Sequence, residues 1–272
     1  MRHHPTTPPH EVNAGATLEF TPAQALPPPR CTYTLSARQK PPEMPVFAYL
    51  RKQYGNLPLR EIESLFGFVE RSTLYGGRFF TQRELSDRDL HQLNNAGIGV
   101  RIPFSNHSAS EEEYAANRPL LEKYHHSLNA IICTDDGLAR SIRRDYPLYR
   151  LDASVIKNLN THAKIEDALT LYDSVVLPMY LNHDLKFLQG IGHKERITLF
   201  ANAGCAFTCP SKICYAAISK MNKFTGAPFA CSQPTREREL IGMVDFDLNP
   251  LLELGFHQFK LLRARPGGMT GF

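Results

Sequence analysis

The stretch Ala130-Ile-Ile-Cys133, Thr134-Asp-Asp136, Gly137-Leu-Ala-Arg-Ser-Ile-Arg-Arg-Asp-Tyr146 and Leu148-Tyr-Arg-Leu151 decides the fold class. Its first four residues form a short apolar run suited to a fully buried strand. Leu138 and Ile142 then fall on one face of a helix, with Arg140, Arg143 and Arg144 on a solvated side. A second β-rich run closes the stretch. Strand, helix and strand at spacings of about 20–35 residues make the βα unit of a parallel sheet.

The same unit recurs outward in both directions. Strand-like runs occur at Glu61–Phe66, Ile98–Phe104, Ser174–Leu177, Ile197–Phe200 and Gln258–Leu262, with helical periodicity at Phe47–Tyr54 and Ile165–Tyr172. Cys31–Ser36 is a candidate for one more strand. Seven units, and an eighth near residues 31–50, predict a TIM-like (β/α)8 barrel, an architecture of about 250 residues that a chain of 272 accommodates. The competing doubly wound sheet usually carries a G-x-G-x-x-G turn after its first strand, and none follows a strand here. Ten of the 20 prolines fall in residues 1–45, so residues 1–30 are expected to be an extended or disordered Pro-rich tail. Residues 31–272 are then one barrel domain.

Composition excludes little else. Hydrophobic residues make up 42% and charged residues 21%, and the net charge of +4 neither requires nor forbids a nucleic-acid partner. No apolar run approaches the roughly 18 residues of a membrane span. The start of the chain lacks the apolar segment of a secretory signal. The expected compartment is therefore the cytoplasm.

Barrel chemistry gathers at the carboxyl ends of the strands. The residues expected at that rim include Arg78, Asn106, His107, Asp135, Asp152 and Asn202. Asn106, His107, Asp135 and Asp152 are the candidate catalytic groups, and Arg78 and Asn202 the candidate substrate contacts. Asp135 serves equally well as a helix N-cap.

Cysteine gives the sharper signal. Cys205-x3-Cys209-x4-Cys214-x16-Cys231 begins just after a predicted strand end, while Cys31 and Cys133 stand apart. In a reducing compartment, clustered thiols more often bind metal than form disulfides. Four thiolates suit either an iron–sulfur cluster or a structural zinc. Zinc ribbons pair two C-x2–4-C knuckles, and one short pair of that kind fits here. The three close thiols differ from the radical-SAM spacing C-x3-C-x2-C in their second gap.

The segment Arg196-Ile-Thr-Leu-Phe-Ala-Asn202-Ala-Gly-Cys205-Ala-Phe-Thr-Cys209-Pro210 resembles the strand, Asn, Cys and Cys-Pro signature of the collagenase-like peptidase family. That family includes relatives needed for oxygen-independent hydroxylation in ubiquinone synthesis and for RNA hydroxylation. Gly255–Leu262, Glu63–Gly67, Tyr75–Arg78 and Ile102–His107 resemble further segments of it, so the likeness spans roughly residues 46–263. The resemblance implies a barrel carrying a 4Fe-4S cluster at its rim, with Cys205, Cys209, Cys214 and Cys231 as ligands. The 205–214 run holds one cysteine more than the family pattern, which leaves open which of its thiols bind together with Cys231. Leu262 stands where the family's last strand has an acid, and the accessory C-terminal domain of the family's larger members is not expected.

Three functions follow as expectations. The first is an iron–sulfur barrel protein taking part in oxygen-independent hydroxylation or a related redox reaction. The second is a collagenase-like peptidase, although no H-E-x-x-H string is present. The third is a non-catalytic, metal-stabilised protein that binds a homologous subunit, another protein or RNA, with Arg236, Arg238, Arg263 and Arg265 as phosphate contacts.

Overall fold

The computed structural model describes residues 30–55, 57–209, 211–233 and 244–262. The Pro-rich tail and the four arginines named for RNA lie outside the described residues, apart from Arg30 at the tail's edge.

Eight of the described strands close into a parallel barrel. In chain order they are β1 (Thr32–Ser36), β2 (Ile62–Phe66), β3 (Gly99–Ile102), β4 (Ala130–Cys133), β5 (Arg150–Ala153), β6 (Ser174–Val176), β7 (Ile197–Phe200) and β10 (Gln258–Leu261). Each pairs with its sequence neighbour, and β1 closes the ring on β10 through Tyr33 opposite Phe259 and Thr34 opposite Lys260. The predicted (β/α)8 architecture is therefore the one observed. The candidate strand at Cys31–Ser36 is the first of the eight.

Helices cover the outside. They are α1 (Val46–Tyr54), α2 (Asp87–Asn95), α3 (Glu111–Lys123), α4 (Asp136–Asp145), α5 (His162–Leu169) and α6 (Leu185–Gln189). Local chemistry sets their starts. Ser86 with Asp89, and Ser110 with Glu113, form capping boxes on α2 and α3. Asp135 and Thr161 cap α4 and α5 by accepting from the backbone N–H groups of Leu138 and Lys164. Leu35, Leu65, Val100, Ile131, Leu151, Val175, Leu199 and Phe259, one from each strand, are wholly buried in a single core.

The barrel interior is unusually polar. The Thr34 and Ser64 hydroxyls share a hydrogen bond at 3.0 Å, and Arg101 Nε donates to Ser64 Oγ at 2.6 Å. Arg101 also pairs with Asp152 and, at 2.9 Å, with Glu63, while Ser174 Oγ donates to Asp152 at 2.6 Å. The fifth strand runs two residues later than the 148–151 run suggested. Pro147 and a turn from Tyr149 N–H to the Tyr146 carbonyl occupy the start of that run, and Asp152 consequently falls within β5.

The cysteine-rich insertion lies between β7 and β10, the last two barrel strands. It holds β8 (Asn202–Ala203), α7 (Cys214–Lys223), β9 (Val244–Asp245) and α8 (Asn249–Glu253), with β8 and β9 paired antiparallel. A small second core of Val176, Met179, Phe200 and Ala203 roots the insertion at the carboxyl ends of β6 and β7. No described helix is long and apolar enough to cross a membrane.

Candidate functional site

A cavity of about 160 Å³ opens at the carboxyl ends of the strands. Ser36 and Phe66 from β1 and β2, Ser105 and Ser154 after β3 and β5, and Phe200 and Lys260 from β7 and β10 contribute to its wall. Catalytic sites of this architecture form at that mouth. The insertion adds a further part of the wall, including all four of Cys205, Cys209, Cys214 and Cys231.

Each thiol is positioned differently. Gly204 and Phe207 close a backbone turn around Cys205 through a 2.8 Å hydrogen bond. Cys209 Sγ accepts from the Lys212 N–H at 3.3 Å, and Lys212 adopts the left-handed φ of 49° that aims this amide back at the sulfur. Ser232 Oγ lies 3.3 Å from the same sulfur, and the Gln233 N–H donates to Cys231 Sγ at 3.4 Å. Cys214 is the first residue of α7.

The thiols are within electrostatic reach of one another. Burial, followed by the charges of Cys231, Cys205 and Cys209, pushes the Cys214 thiol up to about 11. Burial also opposes ionisation of Cys209, yet hydrogen bonds from Ser232 and the Lys212 and Ser211 amides hold that thiol below its ordinary value. Four sulfurs of this kind cannot all ionise together unless positive charge sits among them. Among the described residues, no three His, Cys, Asp or Glu side chains are placed to hold a metal ion. The thiols share a wall without meeting at a point.

The rest of the lining is cationic. Arg38, Arg78, Lys212 and Lys260 reach the cavity, and among the described lining residues there is no Asp, Glu or His. Arg78 is held by a bidentate pair of 2.6 Å bonds to Glu84 and lies 4.4 Å above the Phe68 ring. Gly76 brings the Arg78 loop against the β3 loop, because a Cβ at Gly76 would stand 2.0 Å from the Ser105 carbonyl oxygen.

Of the residues proposed from sequence, the four cysteines and Arg78 line this cavity, and the others sit elsewhere. Asn106 donates through Nδ2 to the carbonyls of Thr73, Tyr75 and Ser219 at 2.9, 3.3 and 3.0 Å. His107 Nδ1 is 2.9 Å from Ser219 Oγ. Both therefore fasten α7, the helix that begins at Cys214, to the loops after β2 and β3. Asn222 completes the attachment by donating to the carbonyls of Tyr75 and Arg78. Asp135 caps α4. Asp152 is wholly buried beneath the cavity, and Arg101 holds its carboxylate low against the opposing effect of burial. Asn202 pairs opposite Asp245 in the insertion's small sheet and accepts from the Leu262 N–H at 2.9 Å. Cys133 is buried, with its thiol pushed up by desolvation, and neither it nor Cys31 reaches the cavity lining.

Arg38, Lys212 and Lys260 add to the cavity's basic lining without having been singled out from sequence. The signal for Lys260 was present: in Gln258-Phe-Lys-Leu261, alternation that buries Phe259 against the helices turns Lys260 inward.

No family model matches the chain, and no curated protein matches its sequence. Among solved structures, the fold is similar to that of the U32 peptidase Mk0906, with a TM-score of 0.58 and 13% identity. The superposition covers 91% of this chain and 98% of that one. At that identity the likeness is one of fold: this is a barrel built like a U32 peptidase, with a thiol-lined, cationic mouth.

Proposed function

We propose that the mouth of the barrel is an iron–sulfur site and that the protein works in an oxygen-independent hydroxylation or a related redox reaction. The observation that carries this reading is the presence of Cys205, Cys209, Cys214 and Cys231 together in the lining of one cavity. Thiols that share a wall without meeting at a point suit a cluster of several atoms better than a single zinc ion, whose Zn–S bonds of about 2.3 Å draw its ligands together. These four residues would hold the cluster, and once bound it would supply one-electron chemistry. The chain's own residues do the rest. Arg38, Arg78 and Lys212 balance thiolate charge and attract anionic substrates, the Gly76–Gly77 turn lets backbone approach closely, and Asn106, His107 and Asn222 keep α7 on the barrel.

The test is anaerobic purification or reconstitution followed by visible and EPR spectra. Iron with acid-labile sulfide and a cluster signal supports the reading. Protein that stays colourless and iron-free under strictly anaerobic reconstitution overturns it.

The likeness to the U32 peptidase Mk0906 favours a second reading, a peptidase. Hydrolysis needs a base for its nucleophile, and the described lining offers Lys260 in that place rather than His or a carboxylate. Cleavage of denatured protein substrates that disappears in Lys260→Arg would support this reading, and no cleavage by intact protein would remove it.

A further inference from the structure

The geometry points to Lys260 as a nucleophilic amine that forms an imine with the carbonyl of a small oxo acid bound in the cavity. This deepens the proposed function at the same site. It rests on that reading for the cavity's role, not for the presence of a cluster.

Among the described residues two lysines are buried, and they are treated differently. Lys40 is wholly buried, and its Nζ pairs with Asp89 at 2.9 Å and donates to the Pro41 carbonyl at 3.2 Å. That is how a structural lysine is satisfied. Lys260 is 8% exposed and lines the cavity. Its Nζ stands 4.1 Å above the Phe66 ring, and among the described residues no carboxylate pairs with it. An ammonium in this position has exchanged water for an aromatic face.

The aromatic face favours the ammonium, whereas burial and neighbouring positive charge oppose it. Burial lowers the amine's basicity most, and Arg101 on β3 and Arg78 on the β2 loop lower it further. Asp152 on β5 opposes them, but its two oxygens are engaged by Arg101 and Ser174. The neighbours facing Lys260 from β1 and β7, Thr34 and Phe200, carry no charge. The result is an amine pushed down to about 7, so that roughly half of it is unprotonated at neutral pH. Desolvation next to other cations is a recognised way to activate a lysine toward carbonyls.

The cavity also defines the partner. Its cationic lining, free of Asp and Glu among the described residues, favours an anionic group, and a volume of about 160 Å³ admits a small molecule close in size to one benzene ring. In the step itself, the neutral Nζ attacks the carbonyl carbon and a C–N bond forms. The carbonyl oxygen then leaves as water, carrying the two amine protons, and a C=N bond remains. No oxidant or reductant is consumed.

The experiment uses the full chain, purified anaerobically, with pyruvate as the probe and cyanoborohydride to trap any imine as a stable secondary amine. Peptide mapping by mass spectrometry locates the adduct. An ordinary exposed lysine is unprotonated at pH 7 to roughly one part in 2,500, so modification of Lys260 should exceed that of the exposed Lys186 and Lys220 by at least about tenfold. Its rate should rise through pH 7, and Lys260→Arg should abolish it. Uniform modification of all lysines, or none at Lys260, overturns the inference. The mapping is done on the wild-type chain, so it stands even if the variant folds poorly. Iron and sulfide are measured on the same samples. Iron without adduct defeats the imine and leaves the cluster reading standing, whereas adduct without iron does the reverse.

Discussion

Replacing Lys260 with Met should change stability in a way that depends on pH, and the dependence follows from the amine's surroundings. In the folded chain the amine titrates near 7, against 10.5 when exposed. Between those values the unfolded chain binds more protons than the folded one, so this residue makes stability rise with pH. Below pH 7 both states are protonated and the penalty is constant. Above 10.5 it has vanished. At about 1.4 kcal/mol per pH unit, the penalty is about 4 kcal/mol at pH 7 and about 2 kcal/mol at pH 9. Methionine fills similar space and does not titrate. The stability of Lys260→Met relative to wild type should therefore fall by about 2 kcal/mol between pH 7 and pH 9, beside a constant offset set by how methionine packs in place of the neutral side chain. Urea unfolding of both proteins at both pH values measures this, and the cysteines and other titrating groups cancel in the difference. An offset that stays the same at the two pH values would refute the claim that Lys260 is held as a weakly basic amine.

Other consequences can be measured in the same way. Asp152→Asn leaves Arg101 buried with Glu63 as its one remaining acidic partner and should cost about 3–5 kcal/mol in urea unfolding; a loss under 1 kcal/mol would show that the pair is not buried as described. Asn106→Ala removes three bonds to carbonyls, including that of Ser219 on α7, and should cost about 2–3 kcal/mol. The same change should make Cys214 react faster with a thiol reagent, and unchanged reactivity would mean that Asn106 does not hold α7 in place. Gly76→Ala forces the Arg78 loop away from the Ser105 carbonyl and should destabilise by at least about 1 kcal/mol; a neutral effect would contradict that close approach.

The barrel was legible because its strands are short, apolar and regularly spaced, as in Ala130-Ile-Ile-Cys133 and Ile197-Thr-Leu-Phe200. What could not be read was the depth of individual side chains. A shift of two residues at the start of β5 moves Asp152 from the rim into the barrel, because Pro147 belongs to the preceding turn. Asn106 and His107 sit after β3 as expected, but their partner Ser219 is more than 100 residues away and no local pattern announces it. Lys260 escaped notice because a single lysine in a strand reads as an outward residue until the ring closes around it. The four cysteines stood out by their spacing, and they line one cavity because β7 ends at the mouth and α7 starts there.

The central claim is that four particular thiols form one metal-cluster site. It is tested most directly by counting iron and acid-labile sulfide in anaerobically purified wild type beside Cys209→Ser, Cys214→Ser and, as a control, Cys133→Ser. Cys209 and Cys214 line the cavity and Cys133 does not. Iron is expected in wild type and Cys133→Ser, and its loss from the other two. Iron-free wild type, or iron retained by Cys209→Ser and Cys214→Ser but lost from Cys133→Ser, would contradict it.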